Sequence, residues 1–527
     1  MSFFAALNSS KHSRLYRAFL WSAGIILLFA VYTFGISDNP PGFYVDESAL
    51  CYNAYLLAKT GAGEFGPKWP LFFQIFTGGF TQYSNPTQIY LLAAAFSVFG
   101  PDILVARLLA SASVFGASLL AGLLGAKLSG QRKIGIIVAA AALTVPWLFE
   151  VSRLALETFF YPMAIMLFLW ALYLAHRKAE WRWFNVLAIA LSLTLVTYSY
   201  TIGRVLGPLL AIGLISFAVS RKRLLAVLAT WLVFIVTMIP LYVFNQNNPG
   251  LTTRFYLLTY FKPESSYSEI LVKFIPRYFQ DINPLTMLLT GDSNQRHHIP
   301  DAYGSMFIGI FLIAAIGVIV VVLTKYRDAW WRFVVYGLAA SAVPGALTVD
   351  VFHTLRMIAF PVFVIVLMVP ALEWLMSKRE VVPIEEPEPD GVTEIFTPPR
   401  TPVMWPVKTI FVAILLAFTF VEASFFHWKY YMEGPKRGYV FDSAYKTLYD
   451  AAVAQPQRPI YLVDGYWGPM YIHSLWYATT EERDTSEFVH QQNGLPPSGA
   501  IVISSDKDCT QCEIIKRNGI FLLYKTN

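Results

Sequence analysis

Two adjacent carboxylates, Asp46 and Glu47, lie in the segment GFYVDESALCYN (42–53), directly after the first hydrophobic run of the chain. Among aromatic residues at the mouth of a membrane helix, such a pair is costly unless a partner or a function compensates for it. A carboxylate in this place can serve as a general base that removes the proton of an attacking hydroxyl group. The alternative is that Asp46 only starts the short helix that follows, because Asp is favoured near helix N-termini.

A second polar pair, Arg153 and Glu157, occurs in SRLALETFF, after the third long hydrophobic run. The two residues are four apart, so on a helix they could form an ion pair with each other, or they could contact a substrate. Between the two pairs, TQYSNPTQIYL (81–91) contains the turn signal Asn85-Pro86, which leads into a short apolar segment.

The densest polar cluster is GDSNQRHH (291–298), immediately before another hydrophobic run. Paired histidines and an arginine beside a membrane surface suit the binding of an anion or a metal ion, although a solvated loop could have the same composition. The candidate site residues here are Asp292, Asn294, Arg296, His297 and His298.

A further cluster, TVDVFHTLR (348–356), puts Asp350, His353 and Arg356 between two hydrophobic runs. His353 and Arg356 are three apart, so on a helical turn they share a face and could hold a phosphate together. An arginine on this side breaks the usual charge pattern of membrane proteins. It therefore needs a bound ligand or a carboxylate partner.

The composition places these clusters in a membrane protein. The 527 residues are 56% hydrophobic and 14% charged, and the mean hydropathy is +0.50, well outside the soluble globular range. The net charge of +6 comes from basic clusters at helix ends, and no basic stripe with interleaved aromatics points to a nucleic-acid partner. The three cysteines make no disulfide framework, but Cys509 and Cys512 could form a local disulfide or be inert.

Eleven hydrophobic runs are long enough to cross a bilayer, which takes roughly 20 apolar residues. They lie near 18–36, 103–126, 134–151, 157–176, 183–201, 204–220, 224–244, 303–324, 330–348, 357–376 and 406–426. The segment 87–99 is shorter and is predicted to be re-entrant or interfacial. The predicted fold class is an all-α polytopic membrane protein with about eleven transmembrane helices, interfacial helices and a small α/β C-terminal domain.

With eleven crossings, the basic clusters all fall on one side, which the positive-inside rule identifies as the cytoplasm. The N-terminus is then cytoplasmic, in an inner or plasma membrane, and every polar cluster described above is extracytoplasmic. The predicted domains are a membrane core (1–376) with a first outer loop (37–102) and a long outer loop (245–302), a Pro/Glu-rich cytoplasmic linker (377–405), a last span (406–426) and an outer α/β domain (427–527). In that domain, helices are expected at 444–455 and 470–479, and strands at 460–464, 500–504 and 521–525.

The chemistry that suits these parts is sugar transfer from a polyprenyl phosphate, which presents a lipid tail to the membrane and a phosphate at its surface. A base such as Asp46 would activate the acceptor hydroxyl, and Arg356, Arg296 or a divalent metal ion would stabilise the departing phosphate. One direct displacement would invert the anomeric configuration. The rival interpretations are a transporter or flippase of lipid-linked sugar and a non-catalytic envelope-assembly protein.

The residues also resemble a known family, the phospholipid-carrier-dependent glycosyltransferases of the GT-C class, similar to protein O-mannosyltransferases and lipid A aminoarabinose transferase. The resemblance rests on FYVDESALCYNAYLLAKTG, NPTQIYLLAAAFSVFGPDILVARLLAS, SRLALE, GDSNQRHH and HTLR. It implies a GT-C-like fold, a polyprenyl-phosphate sugar donor, and a protein or glycolipid acceptor. It also implies that Asp46 is the catalytic centre, that Glu47 is its neighbour and that Arg107 organises the first loop. Family members commonly have Pro-Pro where this chain has Asn85-Pro86, and their metal dependence varies, with Asp46, Glu47, His297 and His298 as conceivable ligands here.

Overall fold

The computed structural model describes residues 10–76, 82–248, 256, 258–260, 262–377, 405–465, 468–505 and 512–527. The helices in chain order are α1 (Ser10–Tyr32), α2 (Val45–Thr60), α3 (Pro86–Phe99), α4 (Ile103–Ser129), α5 (Arg132–Thr144), α6 (Pro146–Val151), α7 (Tyr161–His176), α8 (Trp183–Ser199), α9 (Gly203–Gly213), α10 (Arg221–Asn247), α11 (Tyr267–Asp281), α12 (Ile308–Val320), α13 (Ala329–Ala346), α14 (Phe360–Met376), α15 (Trp405–Glu433), α16 (Ser443–Val453) and α17 (Tyr471–Thr480). Short 3₁₀ or π-helical segments are Leu214–Phe217, Thr286–Thr290, Val321–Lys325, Gly434–Val440 and Thr485–Glu487.

Each of the eleven predicted runs contains a helix, and the all-α membrane fold class is confirmed. Four helical stretches within the described residues are long and apolar enough to cross a membrane by themselves: Ile103–Ser129, Arg221–Asn247, Ile308–Lys325 and Val407–Val440. Shorter apolar helices accompany them, and the chain is a multi-pass membrane protein. Helix α3 has 14 residues and is about 21 Å long, shorter than a hydrocarbon core of about 30 Å.

The central helix of the bundle is α14, which is buried on nearly all sides. It packs against α4, α5, α12, α13 and α15, and its sequence is almost entirely apolar, as burial all round requires. Close packing elsewhere depends on small residues: a Cβ on Gly122 of α4 would lie 2.7 Å from the carbonyl oxygen of Gly135 on α5. This is the usual way in which membrane helices approach one another.

The C-terminal part contains a five-stranded sheet. Its strands are β3 (Ile460–Val463), β4 (Phe488–His490), β5 (Ile501–Ser504), β6 (Cys512–Asn518) and β7 (Phe521–Thr526). The first two strands of the chain, β1 (Phe73–Gln74) and β2 (Tyr83–Ser84), form a separate two-stranded sheet in the first loop. The order is β4-β3-β5-β7-β6, with β3 parallel to β4 and β5, and β7 antiparallel to β5 and β6. The small α/β part predicted at this end is therefore confirmed.

Two strands of that sheet were not predicted. Strand β4 has only three residues, and β6 has an exposed, mostly polar sequence at the sheet edge, so neither shows the apolar pattern of a buried strand. Cys512 begins β6 and is disulfide-bonded, whereas Cys509 lies outside the described residues. Most of the predicted linker, 378–404, lies outside them as well.

Candidate active site

The first turn of α2 carries both members of the acid pair and is held by a capping box. The backbone N–H of Tyr44 donates to Oε2 of Glu47 (3.1 Å), which satisfies one of the free N–H groups at the helix start. Glu47 is fully buried. Its Oε1 also accepts the backbone N–H of Ala155 at 2.9 Å, so this carboxylate joins the first loop to the segment after α6.

Arg107, on the second turn of α4, is the charged partner of Glu47. Its Nη2 lies 3.3 Å from Oε2 of Glu47, and neither side chain is exposed. The same guanidinium donates to the carbonyl oxygens of Pro40 (2.7 Å) and Gly42 (2.8 Å). Arg107 therefore binds the backbone segment that leads into α2.

Asp46 occupies the second position of α2 and is half-buried, unlike its neighbour. The positive end of the helix dipole stabilises a negative charge at this position. The Glu47 carboxylate is bonded to Tyr44, Arg107 and Ala155, and Asp46 is the more exposed acid of the pair.

The C-terminal part also contacts this turn, through residues that the sequence did not suggest. Oδ2 of Asp442 accepts the backbone N–H of Val45 at 3.1 Å. One turn on, the Ser48 hydroxyl lies 2.8 Å from Nδ1 of His473, whose Nε2 lies 3.4 Å from Asp442. All of these side chains are buried. Almost 400 residues separate Val45 from Asp442 (|i−j| = 397), so no local pattern could have indicated the contact.

The 291–298 segment lies against the same turn. The guanidinium of Arg296 stacks on the Tyr44 ring, 3.4 Å from its centroid, and donates to the carbonyl oxygen of Val440. Asn294 shapes the segment, since its side-chain oxygen accepts the N–H of Arg296 at 3.0 Å. Arg296 therefore stands beside the acid pair, but as a partner of an aromatic ring that precedes Asp46.

The side chain of His298 is held by two neighbouring groups of the protein. Its Nδ1 lies 2.8 Å from Glu150 and its Nε2 lies 2.7 Å from the carbonyl oxygen of Tyr303, so both ring nitrogens are engaged. Burial by itself would lower the pKa of His298, but the charge and hydrogen bond of Glu150 outweigh it and raise that pKa. Glu150, another residue that the sequence did not single out, also accepts the N–H of Ile299 at 2.9 Å.

Three side chains of the two downstream clusters converge. Asp292, His297 and His353 each offer a ligand atom, and these atoms lie within 4.8 Å of one another. Asp292 accepts from Thr354 and lies 3.2 Å from Nδ1 of His297. Burial would raise the pKa of Asp292, but the hydrogen bond and charge of His297 hold it well below its usual range. Burial and the neighbouring His297 lower the pKa of His353 to about 3.

Arg356 has the carboxylate partner that its position requires: Nη2 lies 2.5 Å from Asp350. It also donates to the carbonyl oxygen of Leu258 at 3.3 Å and lines a cavity between α8, α9 and α13. The other walls of that cavity are mainly apolar, and include Tyr200, Ile202, Val205, Pro344 and Leu347. A buried cation thus stands at the wall of an apolar cavity.

Of the two alternatives for Arg153 and Glu157, an ion pair on a helix or a contact with substrate, the structure does not show the first among the described residues. Helix α6 ends at Val151, so the spacing of four no longer places the two side chains on one face. Arg153 instead donates to the carbonyl oxygens of Tyr32, the last residue of α1, and of Phe34, two residues beyond it. Glu157 accepts from the hydroxyl of Ser84 (2.7 Å).

Asn85 is the centre of the second polar network. Its backbone N–H donates to Glu157 at 2.6 Å, and its side chain bonds to Thr201 and to Arg204. Thr201 also lines the Arg356 cavity. The Asn-Pro that replaces the Pro-Pro of the resembled family therefore supplies an N–H and an amide that a proline would lack.

Glu64, in the first loop, contacts the C-terminal part. It accepts from the Tyr471 hydroxyl at 2.8 Å, and its Oε2 is buried with no hydrogen-bond partner in the described part of the chain. Burial raises the pKa of Glu64 to about 8, although the Tyr471 hydrogen bond acts in the opposite direction. A carboxyl group whose pKa in the folded protein exceeds its unfolded value of about 4.3 takes up a proton on folding. Its contribution to stability is complete below about pH 4.3 and is lost as the pH rises through 8.

We therefore expect the unfolding midpoint of the protein to fall between about pH 5 and pH 8, and Glu64→Gln to flatten this dependence. The measurement is a series of thermal unfolding curves in detergent. Glu513→Gln, which changes an exposed carboxylate, is the matched control. A Glu64→Gln curve parallel to that of the unchanged chain would contradict the assignment.

Comparison with known proteins identifies the fold of the chain. No family model and no curated protein sequence matches the chain. Among solved structures, it is similar to ArnT from Cupriavidus metallidurans in the apo state, with a TM-score of 0.57 and 14% identity, covering 96% of this chain and 98% of that one. ArnT has a GT-C fold. The chain has a GT-C fold.

The GT-C fold is matched equally well by a second ArnT structure, bound to undecaprenyl phosphate. Its TM-score is 0.56 at 12% identity, over 96% of this chain and 97% of that one. At such identities the likeness establishes the arrangement of helices and the C-terminal sheet. The roles of individual residues depend on the contacts described above.

Proposed function

We propose that the protein is an integral membrane glycosyltransferase that moves a sugar from a polyprenyl-phosphate donor to an extracytoplasmic acceptor by inverting displacement. The observation that carries this proposal is the first turn of α2, where Asp46 is half-buried and Glu47 is immobilised by Arg107. The GT-C fold supports it, since a structure of that fold binds undecaprenyl phosphate. The acceptor is a hydroxyl group of a protein or of an envelope lipid or glycan.

In this mechanism the Asp46 carboxylate takes the proton of the acceptor hydroxyl as its oxygen attacks the anomeric carbon. The bond between that carbon and the phosphate oxygen breaks, and polyprenyl phosphate leaves with the electron pair. Glu47 and Arg107 are positioning residues, because their bonds keep the α2 turn in one place. Asp442 and His473 support the same turn from the other side.

The cavity at Arg356 is proposed as the site of the lipid phosphate. Its apolar walls suit isoprenoid units, and a guanidinium is suited to phosphate. The Asp350 side chain is 48% exposed, so it can turn into solvent when a phosphate replaces it as the partner of Arg356. His353, next to this ion pair, orients the loop through its carbonyl oxygen, which accepts the N–H of Arg356 at 3.0 Å.

We expect Arg356→Ala to weaken donor binding by about 10- to 100-fold, the worth of a charge-assisted hydrogen bond, with little change in the KM for the acceptor. Asp350→Asn is the matched control, since it removes the competing carboxylate and should leave donor binding equal or tighter. Binding of a short-chain polyprenyl phosphate by calorimetry is the measurement. Unchanged donor affinity in Arg356→Ala would remove this residue from the phosphate site.

A divalent metal ion is proposed at Asp292, His297 and His353. A mixed set of imidazole and carboxylate ligands suits zinc and similar ions, and Nδ1 of His353 is buried without a hydrogen-bond partner among the described residues. Such an ion would tie the 291–298 segment to the loop before α14. Glu47 and His298, named from sequence as conceivable ligands, are occupied by Arg107 and Glu150.

The experiment that tests the function uses purified protein in liposomes with a polyprenyl-phosphate hexose and candidate acceptors. Formation of a glycoside with inverted anomeric configuration supports the proposal. Movement of the lipid-linked sugar between leaflets without any transfer would favour a transporter and contradict it. The same assay is repeated with the donor sugar on one face of the liposome membrane and then on the other. It reports whether the site is extracytoplasmic, as we propose for this protein in an inner or plasma membrane.

A further inference from the structure

A second cavity, of about 500 Å³, opens at the other end of the bundle. Helix α4 has 27 residues, about 40 Å, and runs from the first-loop region at Arg107 to Lys127 in its last turn. The cavity lies between Lys127, the C-terminal end of α7 at Arg177, and the turn between α12 and α13 at Arg327. It is therefore far from the acid pair, and none of its residues takes part in the proposed reaction.

The lining of this cavity carries an excess of positive charge. Lys325 is neutralised by Glu373 at 2.5 Å, and Asp328 caps α13 through the N–H of Trp330. Arg177 donates to the Tyr173 hydroxyl (3.3 Å) and Arg327 to the Tyr326 hydroxyl (3.1 Å). Within the described residues, no carboxylate lies at ion-pair distance from Lys127, Arg177 or Arg327. Asp328, the carboxylate of the lining, lies 3.4 Å from Nε2 of His176, so three cations from three separate elements share a cavity with one carboxylate.

The rim of the cavity is apolar on the outside of the bundle. Leu123 on α4, Leu174 on α7, and Leu323 and Tyr326 in the turn are all exposed. In a multi-pass membrane protein such side chains face acyl chains, since water would make their exposure costly. The site thus combines exposed cations that line a cavity with apolar side chains on the same elements.

We propose that this cavity binds the phosphate group of an anionic phospholipid, with the acyl chains lying on the Leu123–Leu174 surface. Basic pockets between membrane helices bind such headgroups, and each cation near the surface contributes to the attraction. Free phosphate-bearing solutes share the headgroup chemistry, but they do not account for the apolar rim. The ligand also differs from the proposed sugar donor, because the pocket lies at the end of the bundle away from Asp46.

The test compares two double variants of the full-length protein in phosphatidylcholine nanodiscs that contain a minor fraction of phosphatidylglycerol. Lys127→Gln/Arg177→Gln removes two exposed cations that line the cavity, and Lys133→Gln/Lys178→Gln removes two exposed cations at the same end that do not line it. We expect the first to lower phosphatidylglycerol affinity, measured from lipid adducts by native mass spectrometry, about 30-fold. The second should lower it less than threefold.

Equal losses in the two double variants would overturn the proposal, because they would indicate diffuse charge attraction. A parallel titration with inorganic pyrophosphate in neutral nanodiscs distinguishes the sources. Pyrophosphate binding that depends on Lys127 and Arg177, with phosphatidylglycerol affinity unchanged by their loss, would overturn the lipid assignment in favour of a soluble anion. Unfolding midpoints in phosphatidylcholine alone confirm that the variants are folded, and sugar transfer is measured separately, so the outcome does not depend on the proposed function.

Discussion

Asp46→Asn is expected to lower sugar transfer by about 10²- to 10⁴-fold, the usual contribution of a general base. The amide keeps the shape of the side chain but accepts no proton at neutral pH. Because Asp46 is half-buried at the second position of α2, the substitution leaves the capping box and the Arg107–Glu47 pair in place. The folded protein and its affinity for polyprenyl phosphate should therefore be unchanged. The measurement is single-turnover transfer with saturating donor.

Asp38→Asn is the matched control for this experiment. Asp38 is an exposed carboxylate at the start of the same loop, so its loss changes the charge of the loop without changing the proposed base. We expect transfer within about twofold of the unchanged protein. Equal turnover in Asp46→Asn and Asp38→Asn would show that Asp46 is not the base, and the proposed mechanism would fall.

Glu47→Gln and Arg107→Met are expected to destabilise the protein by about 3–5 kcal/mol each, because each leaves the other partner as an uncompensated buried charge. Both side chains of the pair are inaccessible to solvent. Arg107→Met also frees the carbonyl oxygens of Pro40 and Gly42, so it should increase protease cleavage in the 37–44 segment. Transfer should fall in both variants together with loop order.

The double variant Glu47→Gln/Arg107→Met separates charge from shape. It buries no net charge, so its cost should be smaller than the sum of the single costs, with a coupling of about 1–3 kcal/mol. The exposed pair Lys222–Glu180, with side chains 73% and 58% exposed, is the reference, and Glu180→Gln should cost less than about 1 kcal/mol. Strict additivity of the Glu47 and Arg107 effects in denaturant unfolding would contradict a direct interaction.

The outcome for Arg153 and Glu157 shows where local spacing fails. A separation of four places two side chains together only if the helix continues through both, and α6 ends at Val151. Each residue then contacts a part of the chain more than 70 residues away, Phe34 for Arg153 and Ser84 for Glu157. By contrast, the expectation for Arg356 needed no local spacing. An unpaired buried charge is costly, so Arg356 had to have a carboxylate or a ligand as its partner, and Asp350 is that partner.

The sequence by itself determined the fold class, since hydrophobic runs, short basic loops and a mixed tail leave few arrangements that satisfy every backbone group in lipid. The resemblance of its motifs to a family also indicated Asp46 and Arg107. Only the tertiary structure decided which acid of the pair is immobilised, because Glu47 obtains its partners from α4 and from Ala155. It alone revealed Asp442, His473 and the cavity at Lys127. Such contacts join residues that are distant along the chain, and neither periodicity nor composition records which distant residues will meet.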